Sequence, residues 1–354
     1  MTNNAARVDP VAFGLDGLGG LMADWGEPAY RADQLYRYAL KGVPPDRMMT
    51  LPPALRSRLN ETLADNRVII VRELSDGQDG CVKYLYQLSD GQRVEGVRMR
   101  YHHGDTLCLS TQAGCRMGCR FCASTLDGLA RNLTAGEMIG QIAVASARSP
   151  ARNIVLMGSG EALDNYDNTL LFLRAANDPR GLDIGMRRVS LSTCGMADAI
   201  ERFAGEGLPV TLCVSLHAPD DSLRRELMPI AQKYPLPRLI ASCKAYIRET
   251  GRRVIFEYAM IDGVNDSPEH ARRLASLVRG MQSHVNLIPL NPIPERDLRP
   301  SPDASVAKFQ RELEAAGVSV TRRRSLGGGV QGACGQLRQS VMNNNRSGGL
   351  RPLD

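Results

Sequence analysis

The sequence predicts an α/β fold, in which a partial (β/α)6 barrel follows a small helical domain and a β-rich extension. Three observations lead to this fold class. The first stretch has the spacing of short helices, the next alternates apolar and polar residues with a period of two, and the rest alternates apolar strands with helices. Alternation of the last kind is typical of parallel strands joined by right-handed crossovers. We count about six such β/α units, fewer than the eight of a closed barrel.

The domain boundaries follow from the same changes of pattern. We expect a helical accessory domain over residues 1–66. Its basic residues suit an RNA-binding module, and the alternative is a domain that only packs against the rest of the chain. A β-rich connecting extension follows over 67–104, and the barrel core over 105–340. The last residues, 341–354, are rich in Asn, Ser and Gly, and we expect them to be disordered.

Individual elements of the extension and the core are predicted from their apolar runs. One helix begins with Thr134 as its N-cap, and Glu137 completes a capping box. The predicted strands cover residues 68–71, 83–88, 93–99, 106–110, 153–158, 189–192, 210–217, 254–260 and 284–289. The predicted helices among them include 134–148, 197–204, 237–250 and 268–279.

Composition restricts the class of protein. The chain has 354 residues and a formal charge of +6, from 44 Lys and Arg against 38 Asp and Glu. This mild excess permits an anionic partner such as RNA but does not require one. No apolar run has the length of a membrane span, and nine cysteines without a secretory segment indicate the reducing cytoplasm. We expect a cytoplasmic monomer that does not bind membranes.

Three cysteines lie close together in one short loop. Cys115, Cys119 and Cys122 have the spacing C-x3-C-x2-C. Three thiolates can hold three irons of a [4Fe–4S] cluster and leave the fourth iron free for chemistry, and this spacing is the hallmark of radical S-adenosylmethionine (SAM) enzymes. A structural zinc site normally needs four ligands, and no fourth Cys or His follows at zinc-finger spacing, although His102 and His103 lie upstream. Disulfides are not expected, because the number of cysteines is odd and no signal peptide is present.

Polar residues also end several predicted strands. Gly158-Ser-Gly-Glu161 combines glycines that let a ligand approach the backbone with a carboxylate that can accept from the ammonium group of SAM. Polar side chains at the other strand ends can bind the ribose, carboxylate or adenine atoms of SAM. A single polar residue at such a position is more often part of a turn. These further candidates are Ser192, Ser215, His217 and Asn291.

Two more cysteines lie apart from the loop. Cys108 precedes it on a predicted strand, and Cys334 follows three glycines in a segment that packing does not explain. The remaining cysteines are interpreted as structural: Cys81, Cys194, Cys213 and Cys243.

With these motifs the sequence resembles the RlmN/Cfr family of radical-SAM adenosine methyltransferases, and the RlmN branch most. The resemblance runs from Tyr30-Arg-Ala-Asp-Gln-Leu-Tyr36 to Ala333-Cys-Gly-Gln-Leu337. The specific motifs are Thr106-Leu-Cys-Leu-Ser-Thr-Gln-Ala-Gly-Cys115, Ser215-Leu-His-Ala-Pro219, Phe256-Glu-Tyr258, Val264-Asn-Asp266 and Val285-Asn-Leu-Ile-Pro289.

The resemblance implies a role for each candidate. Cys115, Cys119 and Cys122 would bind the cluster, whereas Cys334 would carry a methyl group and Cys108 would resolve the product by forming a disulfide with it. Glu95 matches the position of the proton acceptor. The residues implied in SAM binding are Gly160, Glu161, Ser192, Ser215, Leu216, His217 and Asn291.

The resemblance also implies the substrates and partners. These are 23S rRNA, in which C2 of one adenosine is methylated, and some tRNAs beside the anticodon, with an electron donor of the flavodoxin or ferredoxin type. Two segments depart from the family: Gly160-Glu-Ala162, where Gly-Glu-Pro is usual, and 327–332, which is rich in glycine. Methylation of C8 or of another RNA site is therefore an alternative. A non-catalytic RNA-binding protein with a structural metal is the alternative from another class.

Overall fold

The computed structural model describes residues 7–75, 80–102, 104–147 and 150–323. Cys334, the glycine-rich segment before it and the tail that the sequence predicts to be disordered lie outside these residues.

Three helices begin the described chain: α1 (Pro10–Asp24), α2 (Tyr30–Ala39) and α3 (Pro53–Thr62). Asp9 caps α1, since its Oδ1 accepts from the backbone N–H of Val11 at 2.9 Å. The apolar faces of the three helices pack on one another around Leu18, Leu35 and Leu59, which are fully buried. Burial of these aliphatic side chains stabilises a small helical unit with its own core.

After these helices, the described residues form twelve strands in two sheets. They are β1 (Val68–Ser75), β2 (Val82–Leu88), β3 (Arg93–Met99), β4 (Thr106–Cys108), β5 (Gln112–Gly114), β6 (Leu129–Asn132), β7 (Asn153–Leu156), β8 (Val189–Thr193), β9 (Thr211–Ser215), β10 (Val254–Met260), β11 (Ser283–Pro289) and β12 (Val320–Arg322). The large sheet has the order β1-β2-β3-β4-β7-β8-β9-β10-β11-β12, and β5 pairs with β6 alone. Strands β1 to β4 are antiparallel, whereas β4 and β7 to β12 are parallel.

Helices cross over between the parallel strands. They are α4 (Ala135–Ala145), α5 (Tyr166–Asn177), α6 (Ala197–Ala204), α7 (Asp221–Leu227), α8 (Leu236–Thr250), α9 (Pro268–Val278) and α10 (Asp303–Ala315). The core lies between these helices and the strands, where Leu191, Val214 and Phe256 are fully buried. This arrangement confirms the predicted fold class, an α/β partial barrel with a helical N-terminal part and a β-rich extension.

The predicted core elements agree with the structure in position and differ at their ends. Strand β7 ends at Leu156 and β9 at Ser215, each two residues earlier than predicted, because the residues that follow turn into strand-end loops. The capping box of α4 is present: Thr134 Oγ1 accepts from Glu137 N–H at 3.1 Å, and the N–H of Thr134 donates to Glu137 Oε2 at 3.0 Å. Among the described helices, none has the length and apolar character that crossing a bilayer requires.

Candidate functional site

The C-terminal ends of the parallel strands surround a cavity of about 300 Å³. This edge is where ligands bind in barrels of alternating strands and helices, since the loops that follow the strands converge there. The cavity is bounded on one side by the cysteine loop and on the other by strand-end residues of β7 to β11. Nine predicted site residues line it: Cys115, Cys119, Cys122, Gly160, Glu161, Ser192, Ser215, His217 and Asn291.

The cysteine loop is held by the short hairpin of β5 and β6. The N–H of Cys115 donates to the carbonyl oxygen of Gly128 at 2.9 Å. Gly114 just before it has φ +82°, and a Cβ there would lie 2.0 Å from the same oxygen, so only glycine fits. At the far side of the loop, the N–H of Arg120 donates to the carbonyl of Leu227 at 2.9 Å. The backbone therefore fixes the loop at both ends.

The environment of the three thiols fits cluster ligands. Burial raises the pKa of Cys115 to about 12 and raises the pKa of Cys119 well above its usual range. A metal must therefore replace protons on these sulfurs. In the part of the chain that the structure describes, no three His, Cys, Asp or Glu side chains converge on one ion. In a [4Fe–4S] cluster each thiolate binds its own iron, so three cysteines spaced around a cavity suit such a cluster.

Glu161 presents a buried carboxylate that the backbone orients. Its Oε2 accepts from the N–H of Cys194 at 2.6 Å and its Oε1 from the N–H of Leu163 at 3.1 Å. Burial raises the pKa of this carboxyl, and the two backbone donors act in the opposite direction. The preceding Gly160 has φ +107°, and a Cβ there would lie 2.6 Å from the Cβ of Gln112. The site therefore offers a fixed carboxylate that can pair with an ammonium group.

His217 is held in one tautomer by the strand beside it. Its Nδ1 accepts from the N–H of Ala259 at 2.9 Å, so the ring proton is on Nε2. Burial, and then the positive charge of Arg224, lower the pKa of His217 to about 3. The ring also meets that of Phe121 edge-on at 4.5 Å between centroids. His217 is therefore a neutral ring with a free N–H donor at ordinary pH.

The remaining predicted SAM ligands differ in what they present. Ser192 and Ser215 lie at the ends of β8 and β9, and Asn291 is an exposed residue just past β11. Leu216 does not line the cavity: its side chain is fully buried, and its N–H donates to the carbonyl of Glu257 at 3.0 Å. Only its backbone atoms are therefore available near the site.

Cys108 and Glu95 lie beside the cavity rather than on its wall. Cys108 on β4 is paired with Val97 of β3, and it packs in an apolar cluster that Met157 joins from the cavity wall. The carboxylate of Glu95 forms a buried ion pair with Lys83, at 3.1 Å between Oε2 and Nζ. Cys334 lies outside the described residues, so the structure does not relate it to this pair.

Several cavity residues are absent from the sequence-based candidates. Glu257 lines the wall, accepts from Asn286 Nδ2 at 3.0 Å, and has its pKa raised to about 7 by burial. Its signal in the sequence is a carboxylate within the apolar strand 254–260. Cys194, interpreted as structural from the sequence, also lines the cavity. Asn265 does not line the cavity, but it is fully buried and donates to the carbonyl of His217 at 2.8 Å; it lies in the Val264-Asn-Asp266 motif, to which the sequence assigned no role.

Fold and site together define a radical SAM enzyme, and comparison with known proteins agrees. The family model of the Radical SAM superfamily matches residues 109–275. Members of this superfamily cleave SAM at a [4Fe–4S] cluster. The chain belongs to one branch of it, the RlmN family of radical-SAM RNA methyltransferases, as relatives that are 46% and 48% identical over 95% and 92% of this chain show.

The similarity to this family extends over nearly the whole chain. The probable dual-specificity RNA methyltransferase RlmN of Alkaliphilus metalliredigens (strain QYMF) is 46% identical over 339 residues, which are 95% of this chain and 96% of that protein. The protein of the same name from Symbiobacterium thermophilum is 48% identical over 332 residues, 92% of this chain and 89% of its own. The crystal structure of a radical SAM methyltransferase from Sphaerobacter thermophilus superposes with a TM-score of 0.86 at 43% identity, covering 92% of this chain and 98% of that one.

Membership of an enzyme family decides between two of the classes that the sequence left open. The chain is an enzyme of the radical SAM type, so the non-catalytic RNA-binding alternative is not retained.

Proposed function

We propose that this protein methylates C2 of an adenosine in 23S rRNA and of the anticodon-adjacent adenosine in some tRNAs. The observation that carries the proposal is one cavity, which the three cluster cysteines share with Glu161 and His217. Cys108 is buried against Met157 of the cavity wall, and Glu95 is buried in an ion pair with Lys83. The relatives' names, which describe dual-specificity RNA methyltransferases, support two kinds of RNA substrate.

The chain's own residues would hold SAM and the cluster. Cys115, Cys119 and Cys122 are the cluster ligands in this proposal, and the fixed carboxylate of Glu161 pairs with the ammonium group of SAM. His217 donates from Nε2, and Ser192, Ser215 and Asn291 offer polar atoms to the rest of the molecule. When bound, the cluster supplies the electron that cleaves SAM to a 5′-deoxyadenosyl radical.

Two cysteines divide the methyl transfer into steps. A first SAM methylates the sulfur of Cys334, and the radical from a second takes a hydrogen atom from that methyl group. The methylene radical adds to C2 of adenine. The adduct would then return one electron to the cluster that was oxidised in cleaving SAM, and give the C2 proton to Glu95. The thiolate of Cys108 then attacks the sulfur of Cys334. The disulfide forms as the bond between sulfur and the methylene carbon breaks, and that carbon takes up a proton to become the methyl group of the released base.

The residue types suit the substrate. The C2 atom of adenine is an electrophilic amidine carbon, so it cannot displace a methyl group from SAM directly. A radical route avoids that barrier, and it needs one thiol as the carrier and a second as the resolving group. The target base must also leave its stack to reach a buried cavity. An electron donor of the flavodoxin or ferredoxin type would serve the cluster.

The carrier role of Cys334 is tested by replacing it. Cys334→Ala is expected to abolish methylation of a 23S rRNA fragment while the protein retains its iron and sulfide. Cys243→Ala is the matched control, because Cys243 is fully buried on α8 and does not line the cavity. Normal turnover by Cys334→Ala would remove the methyl-carrier step from the proposal.

A further inference from the structure

Arg224 of α7 is the largest fully buried side chain among the described residues. All of its hydrogen bonds go to backbone carbonyl oxygens at the ends of neighbouring elements. Its guanidinium donates to Cys194 at 2.7 Å, to Ser215 and Leu216 at 3.3 Å each, and to Tyr234 at 3.4 Å.

This buried cation lacks a paired anion. Across the described parts of the chain, no Asp or Glu oxygen lies within ion-pair distance of Arg224. Asp221 of the same helix attracts it only from farther away, and the Oδ1 of Asp221 accepts from Leu236 N–H at 2.7 Å. Burying a charge costs several kcal/mol unless an opposite charge compensates it. Carbonyl dipoles compensate part of this cost, and the rest calls for an anion that the described residues do not supply.

The position of Arg224 indicates where that anion binds. Helix α7 ends at Leu227, whose carbonyl accepts from Arg120 of the cysteine loop at 2.9 Å. Leu227 also packs in the apolar cluster that contains Cys119. Cys194 and Cys119 are also the residues whose thiolates, once ionised, would favour the charged guanidinium most. Arg224 therefore lies directly behind the cysteine loop, and it does not line the cavity itself.

We propose that Arg224 is the counter-charge of the cysteine-bound iron–sulfur cluster and raises its reduction potential. This inference rests on the cluster-binding part of the proposed function. A cluster held by three thiolates is anionic and becomes more so on reduction, and net charge near a cluster sets its potential. In a buried site of low dielectric a fixed positive charge stabilises the reduced form more than the oxidised one. Arg224 is a positioning residue, since it also holds the strand ends that carry Cys194 and Ser215.

The test is a redox titration of the reconstituted protein, with the reduced cluster followed by its electron paramagnetic resonance signal. Arg224→Gln keeps hydrogen-bond donors and removes the charge. The Arg224→Gln substitution is expected to lower the ratio of reduced to oxidised cluster at a fixed solution potential by about tenfold or more. This change corresponds to a fall of the reduction potential by about 59 mV for a one-electron couple. Arg225→Gln is the matched control, because Arg225 is the exposed next residue of α7, and its ratio is expected to stay at the wild-type value.

Arg224→Lys separates charge from hydrogen-bond geometry, since lysine keeps the charge without the planar fork. The proposal is supported if Arg224→Lys has a ratio of reduced to oxidised cluster near that of the wild type. It is also supported if the Lys variant takes up the cluster and the Gln variant does not. An unchanged ratio in Arg224→Gln, an equal drop in both variants, or loss of the cluster from both would overturn it. A wild-type protein that takes up no cluster would overturn the proposed function as well, whereas the other contrary results concern Arg224 alone.

Discussion

At the scale of single residues, the site is oriented by backbone donors rather than by other side chains. The carboxylate of Glu161 accepts from the N–H groups of Cys194 and Leu163, and the ring of His217 accepts from that of Ala259. Backbone groups at strand ends cannot rotate away, so these side chains are in place before a ligand arrives. Such preorganisation lowers the cost of binding.

His217 makes the stability of the protein depend on pH in a defined window. An unfolded histidine binds a proton near pH 6.5, whereas burial lowers the pKa of folded His217 to about 3. Between these pH values the unfolded state binds more protons than the folded state. The contribution of neutral His217 to the free energy of unfolding is therefore fully present above about pH 6.5 and is lost as the pH falls toward 3. The loss is at most about 1.4 kcal/mol per pH unit.

Urea unfolding of the cluster-free protein at several pH values measures this effect. His217→Asn is the test variant, because asparagine tolerates the left-handed φ of +56° at this position. The wild type is expected to lose more unfolding free energy than His217→Asn between pH 7 and pH 5. His102→Asn, at an exposed histidine, is the control. Parallel pH curves for wild type and His217→Asn would contradict the assigned tautomer and burial.

Sequence patterns located the site residues that carry a local signal. The cysteine spacing and the polar residues after apolar strands were sufficient to find Glu161, His217 and their neighbours. Arg224 has no such signal, because α7 is short and the burial of Arg224 depends on contacts with strands far away in the chain. Asn265 lies in a family motif, but the motif did not indicate its contact with His217. Glu257 was missed although a carboxylate inside an apolar strand is itself unusual.

At the scale of elements, the hairpin of strands β5 and β6, with Gly114 and Gly128, determines the shape of the cysteine loop. Strands β5 and β6 pair with an irregularity in register between Ala113 and Gly114. At this irregularity the chain turns, and the N–H of Cys115 donates a hydrogen bond to the carbonyl oxygen of Gly128. The loop is therefore built by backbone geometry that only glycine at 114 allows.

Two glycines of this hairpin provide a matched pair of substitutions. Gly114→Ala is expected to abolish most of the iron binding, because its Cβ would meet the carbonyl oxygen of Gly128 at 2.0 Å. Gly128→Ala has a similar positive φ of +69° but no atom within 4 Å of the added Cβ, so it should cost about 1–3 kcal/mol of stability and retain iron. Iron and sulfide per protein after anaerobic reconstitution measure both. Equal iron contents in Gly114→Ala and Gly128→Ala would show that the close approach of residue 114 to the carbonyl oxygen of Gly128 does not determine the shape of the loop.

The strands and helices of the core could be predicted from sequence, but their pairing could not. Apolar runs and the capping box at Thr134 predicted most of the long core elements, with ends that differ from the observed ones by up to three residues, whereas β5, β6 and β12 were not predicted. The change from antiparallel to parallel at β4 depends on contacts with β3 and β7, and β7 lies 45 residues away, counted from Cys108 to Asn153. Local periodicity contains no information on such pairing.

At the scale of the whole molecule, the N-terminal helices are joined to the barrel by a polar junction. Asp9 Oδ2 accepts from the N–H of Gly136, in the first turn of α4, at 2.9 Å. Its Oδ1 accepts from Asn66 Nδ2 at 2.8 Å, and Asn66 Oδ1 accepts from the hydroxyl of Thr134 at 2.9 Å. This junction ties both ends of the helical region to the N-terminus of a core helix, where a carboxylate is favoured by the helix dipole.

Asp9 is therefore expected to stabilise the molecule as a whole. Asp9→Ala leaves the N–H groups of Val11 and Gly136 and the amide of Asn66 without their acceptor, and it should cost about 1–3 kcal/mol of unfolding free energy. Denaturant unfolding followed by circular dichroism measures the loss. Asp16→Ala, on the exposed face of α1, is the control and should change stability by less than about 0.5 kcal/mol. Equal effects of the two substitutions would refute the junction.

The measurement that tests the central claim most directly is an anaerobic assay of the reconstituted protein with SAM, a reductant and a protein-free 23S rRNA fragment. The nucleosides of the product are separated and identified by mass spectrometry. Methylation of adenine C2 by the radical route should give 2-methyladenosine together with 5′-deoxyadenosine. Appearance of 8-methyladenosine instead would leave the radical machinery in place and contradict the proposed C2 position. Formation of 5′-deoxyadenosine without any methylated base would contradict the proposed substrate.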